Sequence, residues 1–307
     1  MRISMVWAVR VFVFTVAALC SLVAGVATGL ALIQAMEDAG TDADAGIIIQ
    51  ARSLNPGCDA ECVGKIREAR SELLGIEERE LKYVLREYNR YVHGLGQSVH
   101  KCLAFQEDLK TVSRMTLYPE EFLGGLAFFE SGGCRNPNVR TFDNGYGLAQ
   151  VTSPSKHHIR DAAIALGIPQ ADFNWKRGPD GKVNVLHNVM LGAIMLDDCE
   201  ETYGSRGVGI LCYNRGKGGV RKDLSCAGWK KTGSPFGISD FRGCIPVKIG
   251  AARPRTYVDR FLAGVVLYTR AKAGQPLTEL TELKLADIPG ADPARDGEDL
   301  QKLLAAK

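Results

Sequence analysis

The stretch that decides the reading of this chain is Tyr118-Pro119-Glu120-Glu121-Phe122-Leu123-Gly124-Gly125-Leu126-Ala127-Phe128-Phe129-Glu130-Ser131-Gly132-Gly133. After a polar loop it continues as Asp143-Asn144-Gly145-Tyr146-Gly147-Leu148-Ala149-Gln150-Val151-Thr152. Pro119 suits the first position of a helix, where its missing N–H would be unpaired anyway. Phe122, Leu123, Leu126 and either Ala127 or Phe129 recur at helical spacing and form an apolar face. Glu130 follows Leu126 by one helical turn and Leu123 by two, so it falls on that same face. Ser131-Gly132-Gly133 ends the helix. A carboxyl group at the end of an apolar stripe is expensive to ionise, so its pKa is expected to rise. Such a group can hold a proton near neutral pH and donate it to a leaving oxygen. The competing reading is a helix-terminal glutamate turned out to solvent, and the helix alone does not separate the two.

The neighbouring motifs favour the first reading. Glu130-Ser131, a short loop and Gly145-Tyr146-Gly147-Leu148-Ala149-Gln150 resemble the Glu-Ser…Gly-x-Gly-Leu-x-Gln signature of the lytic transglycosylases, lysozyme-like enzymes that cut peptidoglycan. Tyr213-Asn214-Arg215-Gly216-Lys217-Gly218-Gly219-Val220 resembles the family's Tyr-Asn-x-Gly-x-Gly-x-Val block. Arg255-Thr256-Tyr257-Val258 is similar to its last motif, a Thr-x-x-Tyr-Val region read loosely. Each motif is weak alone; three in order over about half the chain make a strong signal.

The resemblance and the helical periodicity imply a mainly α fold, a lysozyme-like α-rich catalytic domain, to which the N-terminal residues add a transmembrane helix and a helical arm. It implies Glu130 as catalytic acid. It also implies a substrate-binding set of Ser131, Gly145, Tyr146, Gly147, Gln150, Tyr213, Asn214 and Tyr257. Gln150 would hydrogen-bond the glycan, Tyr213 and Asn214 would line the cleft, and Tyr257 would contact the acid or the sugar. For Ser131 a residue that bonds backbone or orders the loop is favoured over a nucleophile, since no His stands in a nucleophile's relation to it. Phe128 and Phe129 read as core.

Glycoside hydrolysis normally uses two carboxyl groups. Goose-type lysozymes, similar in this region, tend to carry an acidic residue where this chain has Thr152. That difference favours the transglycosylase route, in which one Glu protonates the glycosidic oxygen and then deprotonates the C6 hydroxyl of the same sugar. The substrate supplies the nucleophile, so a second carboxylate is unnecessary. Asp143 is the candidate second carboxylate, with a turn residue beside Asn144-Gly145 as the alternative. No metal and no cofactor are expected. The alternatives to a transglycosylase are a hydrolytic goose-type muramidase and a non-catalytic peptidoglycan-binding module of an envelope-spanning machine.

Towards the N-terminus, residues 11–33 carry no charge, with Arg2 and Arg10 before them and Glu37, Asp38, Asp42 and Asp44 after. A bilayer needs about 20 apolar residues, and the charge asymmetry places the N-terminus inside. The segment is long for a cleaved signal, although small residues near Ala24 to Ala31 offer a cleavage site. The expected topology is a single-pass inner-membrane anchor with the catalytic domain in the periplasm, or a secreted protein if the segment is cut.

The chain has nine cysteines; with Cys20 in the span, eight remain: Cys58, Cys62, Cys102, Cys134, Cys199, Cys212, Cys226 and Cys244. An even number in an exported chain reads as disulfides, with about 105 possible pairings. Cys226 with Cys244 is one expected bridge, because both lie in a loop-like stretch. Metal binding is disfavoured, as there is no Cys-x-x-Cys pair and the five histidines show no ligand spacing.

Residues 34–57 are rich in Ala, Asp and Gly and read as a flexible stalk. Residues 58–115 are charged and helical, with Leu81, Leu85, Tyr88, Val92 and Leu95 at helical spacing. This arm is either a partner-binding coil or a layer packed on the catalytic domain, and Gly75, Gly94 and Gly96 weigh against one long coil. The catalytic region spans 116–273. Within it, residues 161–167 predict a short helix, 173–183 a turn-rich loop and 185–203 a long helix. An insert at 221–252 carries Trp229, Phe236 and Phe241, which read either as cleft wall against sugar faces or as a surface loop. Residues 274–307 form a mixed-charge tail. A net charge of +3 gives no case for a nucleic-acid partner, and Gly216-Lys217-Gly218-Gly219 lacks the spacing of a phosphate loop.

Overall fold

A computed structural model describes residues 78–289, apart from 117, 142–143, 177, 179, 229–237 and 251. The expected span and stalk, Cys58, Cys62, Asp143, Trp229, Phe236 and the end of the tail lie outside the described residues. Among those described, no helix is long and apolar enough to cross a membrane.

The described chain is helical, with isolated β-bridges in place of strands. In order it forms α1 (Leu81–Val92), a 3-10 segment (Gly96–Phe105), α2 (Gln106–Met115) and α3 (Glu120–Glu130). These are followed by α4 (Lys156–Ala165), α5 (Val185–Tyr203), α6 (Arg206–Cys226), the short α7 (Ile238–Phe241) and α8 (Tyr257–Lys272). The arm does break near Gly94 and Gly96: α1 stops at Val92 and the chain turns before the 3-10 segment. Helix α4 begins five residues earlier than its apolar pattern suggested. Ser155 supplies the reason, accepting the His158 N–H while its own N–H meets the His158 ring.

Helix α3 runs through the centre of the core, and Phe122, Leu123, Leu126 and Phe128 are buried. Each such side chain contributes about 1.5–3 kcal/mol when fully buried. Its closest neighbour is the antiparallel α8. A Cβ on Gly124 would lie 2.4 Å from the Tyr268 ring, and one on Gly125 would lie 2.4 Å from Val265. Glycine in a helix costs about 1 kcal/mol relative to alanine, and here the two glycines let two backbones meet. At the start of α3, Glu120 accepts from the Tyr268 hydroxyl at 3.0 Å and from Lys272 at 2.7 Å. Lys272 also reaches Glu121 at 2.7 Å. Acid in the first turn of α3 and base in the last turn of α8 suit both helix dipoles.

Helices α5 and α6 form a second antiparallel pair. Gly204, at φ +64°, ends α5, and Ser205 caps α6 by accepting the Val208 N–H. Cys199–Cys212 and the buried Arg206–Glu200 pair, 3.1 Å apart, tie the two helices together. The bridge expected between Cys226 and Cys244 is present, and Cys102 pairs with Cys134. Helix α6 runs on to Cys226, so the first residues of the insert are helical. The beginning of the tail crosses α1, where Tyr88 donates to the Thr278 carbonyl and Asn89 bonds both the N–H and the carbonyl of Leu280.

Cys102–Cys134 fastens the turn after α3 to the 3-10 segment across a sequence separation of 32. Replacing both cysteines by alanine is expected to lower stability by about 2–4 kcal/mol, read as a lower midpoint in chemical denaturation.

Candidate active site

Glu130 is the last residue of α3, and Ser131 follows as its C-cap. The Ser131 hydroxyl donates to the Ala127 carbonyl at 2.6 Å and accepts the Cys134 N–H at 2.7 Å. Of the two readings of Ser131, the geometry thus supplies the backbone-ordering one. Tyr257, the first residue of α8, donates a hydrogen bond from its hydroxyl to Glu130 Oε1. Its ring meets Phe129 edge-on with centroids 4.9 Å apart, and the Arg260 guanidinium lies 4.8 Å from the Phe129 centroid. The sequence assigned Phe129 to the core; it is half-buried and packs against this tyrosine.

Tyr213 comes from α6 just before the helix breaks at Gly216, whose φ of +66° leaves the helical region. Its hydroxyl donates to the Ala149 carbonyl at 2.6 Å. Burial, and after it the Glu130 charge, push the phenols of Tyr213 and Tyr257 well above their ordinary range. Both therefore stay protonated at neutral pH, with different commitments: the Tyr257 proton faces Glu130 and the Tyr213 proton faces a backbone carbonyl.

The glycine-rich loop is a folded object in its own right. Tyr146 bridges both Arg140 and Val151 through its backbone, and its ring sits edge-on to Trp175 and 5.3 Å from the Arg140 guanidinium. Gly147 has a φ of +74°, and a Cβ there would fall 2.3 Å from Asn188 Oδ1. A Cβ on Gly145 would fall 2.6 Å from Gln150 Oε1. Gln150 is buried, donating from Nε2 to the Gly147 carbonyl at 2.7 Å and accepting at Oε1 from Thr141 at 2.7 Å. The side-chain groups that were expected to meet the glycan thus close the loop on itself. Asn214 is exposed beside the Gly216 break.

Glu130, Tyr213 and Tyr257 therefore form one cluster. Gly145, Tyr146, Gly147 and Gln150 form the adjoining loop, joined to the cluster through Ala149. Sequence reasoning missed the residue that holds this loop. Asn188 on α5 is fully buried, accepting the Ala149 N–H at 2.9 Å and donating to the carbonyls of Tyr146 at 2.9 Å and Trp175 at 3.3 Å. Its signal was available: a lone amide inside the apolar run of α5 must satisfy itself on something.

Outside this site, ligand atoms of His157, His158 and Asp198 lie within 4.8 Å of one another, a grouping that the histidine spacing did not reveal. His158 Nε2 is 2.9 Å from Asp198 Oδ2, and its Nδ1 faces the Ser155 N–H at 3.3 Å. Asp198 Oδ1 receives Lys217 at 2.8 Å. These commitments make the group an ionic joint between α4, α5 and the second half of α6. Burial acts to raise the Asp198 carboxyl, but hydrogen bonds from Lys217 and His158 outweigh it and hold it below the usual range.

Residues 111–234 match the family model described as Transglycosylase SLT domain. Three similar solved structures illustrate the likeness. The 70 kDa soluble lytic transglycosylase SLT70 of Escherichia coli is 21% identical at a TM-score of 0.40, covering 58% of this chain and 26% of that one. A complex of the 70-kDa soluble lytic transglycosylase with bulgecin A is 22% identical at 0.40, with the same coverage of 58% and 26%. An inactive mutant of the lytic transglycosylase Slt from Pseudomonas aeruginosa is 20% identical at 0.41, covering 59% and 26%. The chain thus matches about a quarter of the length of these structures. No curated protein matches the sequence.

Two outcomes are expected from this geometry. Asn188→Ala removes the hydrogen bonds to the buried Ala149 N–H and Trp175 carbonyl, while the Tyr146 carbonyl keeps the Val151 N–H; it should cost about 2–4 kcal/mol, measured by chemical denaturation. Asp198, with its lowered pKa, adds stability above the unfolded carboxylate value of about 3.9. That stability is lost as pH falls through its lower folded value. Stability measured across this acid range should fall less steeply in Asp198→Asn.

Proposed function

We propose, from the match of residues 111–234 to the Transglycosylase SLT domain, that this chain is a peptidoglycan lytic transglycosylase acting through Glu130. It cuts the β-1,4 bond between N-acetylmuramic acid and N-acetylglucosamine. The Glu130 carboxyl gives its proton to the glycosidic oxygen as the bond to the muramoyl C1 breaks. The resulting carboxylate then takes the proton of the C6 hydroxyl as that oxygen bonds to C1. The product is a 1,6-anhydro-muramoyl end, no water is consumed, and Glu130 is restored as the acid.

The observation that carries this reading is the placement of Glu130 beside the buried Tyr257 and the half-buried Tyr213. Tyr257 holds Oε1 in one orientation. Tyr213 cannot turn its proton towards Glu130 without breaking its bond to Ala149. One carboxyl group oriented in this way can serve both proton transfers, because the nucleophile belongs to the sugar already bound. Asp143, outside the described residues, is the candidate base for a hydrolytic route.

The uncharged segment at 11–33, with arginines before it and acids after it, supports a membrane-anchored catalytic domain on the outer face of the inner membrane. The three disulfides among the described residues support the same compartment, since such bonds persist in oxidising surroundings.

The test is to digest peptidoglycan with the protein and identify the new sugar ends by mass spectrometry. The expected products carry anhydro-muramoyl ends, and Glu130→Gln should lower their rate at least about a thousandfold while glycan binding persists. Reducing ends would mean that water attacks, and full activity in Glu130→Gln would remove the proposal.

A further inference from the structure

The stretch between α6 and α8 contains a residue that no motif singled out. Arg242 Nη1 and Nη2 donate to Asp259 Oδ2 and Oδ1 at 2.8 Å and 2.9 Å. Nε and Nη2 donate to the two oxygens of Glu80 at 3.0 Å and 2.6 Å, and Nη1 also reaches the Arg255 carbonyl at 3.2 Å. The guanidinium lies 4.6 Å from the Tyr83 ring centroid. Burial acts to lower its pKa, and the two carboxylates more than offset this, so the group stays charged.

The contacts are placed symmetrically about one residue. Arg255 stands two positions before Tyr257 and Asp259 two positions after it. Arg255 closes the connection from its own side, donating from Nε and Nη2 to the carbonyls of Ile245 at 2.8 Å and Gly243 at 3.1 Å. Its backbone N–H donates to the Pro246 carbonyl at 3.2 Å. Helix α8 has no side-chain hydrogen bond at its N-cap, Thr256. Its first turn is located instead by the strip Arg242–Pro246. That strip is itself fixed by the buried Phe241 and Ile245 and by Cys226–Cys244, which fastens it to the end of α6. Phe241 is thus core, not a sugar-facing aromatic.

We propose that Arg242 is a positioning residue for the Tyr257–Glu130 pair, and that the strip Arg242–Pro246 acts as a clamp setting where the phenol meets the carboxylate. The inference rests on Glu130 being the catalytic acid, but the clamp itself is a statement about Tyr257. The charged and titratable groups acting on that phenol are Glu130 of α3, Tyr213 of α6 and Arg260 of α8. Arg242 acts on none of them directly; it holds the turn from which Tyr257 projects. A misplacement of about 1 Å near reacting groups can lower a rate by about a hundredfold. Much smaller shifts of that turn would therefore register in kcat.

Arg242→Lys separates positioning from mere stability. Lysine keeps a cation between Glu80 and Asp259 but lacks the planar fork that reaches Asp259, Glu80 and the Arg255 carbonyl together. The expected result is a folded protein with KM for glycan unchanged and kcat lower by about tenfold. The Tyr257 phenol should titrate at lower pH, towards the ordinary value of about 10. It is read as phenolate absorbance of each protein minus that of its Tyr257→Phe counterpart. Cys226→Ser with Cys244→Ser leaves every charge in place, releases the strip, and should move the same two readouts in the same direction. Unchanged kcat and unchanged Tyr257 titration in folded Arg242→Lys would overturn the proposal, leaving Arg242 a structural ion pair. If the parent protein releases no anhydro ends, the proposed function fails, while the phenolate titration still decides the clamp.

Discussion

Helix α3 carries a carboxylate at each end, and one helix, α8, answers both with a tyrosine. Glu120 meets Tyr268 at the start of α3, and Glu130 meets Tyr257 at its end. Two such contacts fix both the register and the separation of an antiparallel pair. A phenol is short, so its oxygen reaches a carboxylate on the facing helix only when the two backbones run close together. Gly124 and Gly125 provide that closeness, because any side chain there would occupy the space of Tyr268 or Val265. The packing of the core and the orientation of the acid are therefore one constraint.

Around this pair the rest of the domain holds individual segments in place. The loop of Gly145 and Gly147 folds on itself through Thr141 and Gln150, and Asn188 anchors it to α5. Tyr213 connects that loop to the acid from α6, whose break at Gly216 is held from beyond by Lys217 on Asp198 and Arg215 on Asp223. The buried amides of Asn188 and Gln150 both have partners, which is what burial in a low-dielectric interior demands. Disulfides fasten the turn after Glu130, the α5–α6 pair and the insert. The molecule thus restrains the neighbourhood of its candidate acid from several directions.

How much of this the sequence disclosed depends on whether a role is local. Glu130 at the end of an apolar stripe was legible, because the stripe, the proline before it and the Ser-Gly-Gly after it lie in adjacent residues. The long helix at 185–203 was legible for the same reason. Asn188, on that same helix, was overlooked because its importance comes from three backbone groups distant in sequence. Arg242 was invisible in a Gly- and Lys-rich stretch, since its carboxylate partners sit in α8 and just before α1. Gln150 and Ser131 were recognised as notable, but motif resemblance does not reveal whether a polar side chain serves the ligand or the loop. The pairing of Cys226 with Cys244 was accessible because the stretch between them reads as a loop, although Cys226 itself ends α6, whereas Cys102 with Cys134 joins segments with whole helices between them.

The hydrogen bond between Tyr257 and Glu130 spans a sequence separation of 127 residues. Contacts of that range form only after the entropy of closing the intervening loop has been met. The motif bearing Glu130 precedes the loop, the α5–α6 pair and the insert in the chain, while Tyr257 follows all of them. A chain that has not yet docked α8 holds the glutamate but lacks the phenol that orients it. Docking of α8 is therefore what brings the phenol to the carboxylate, and a chain that stops short of α8 carries Glu130 without that partner.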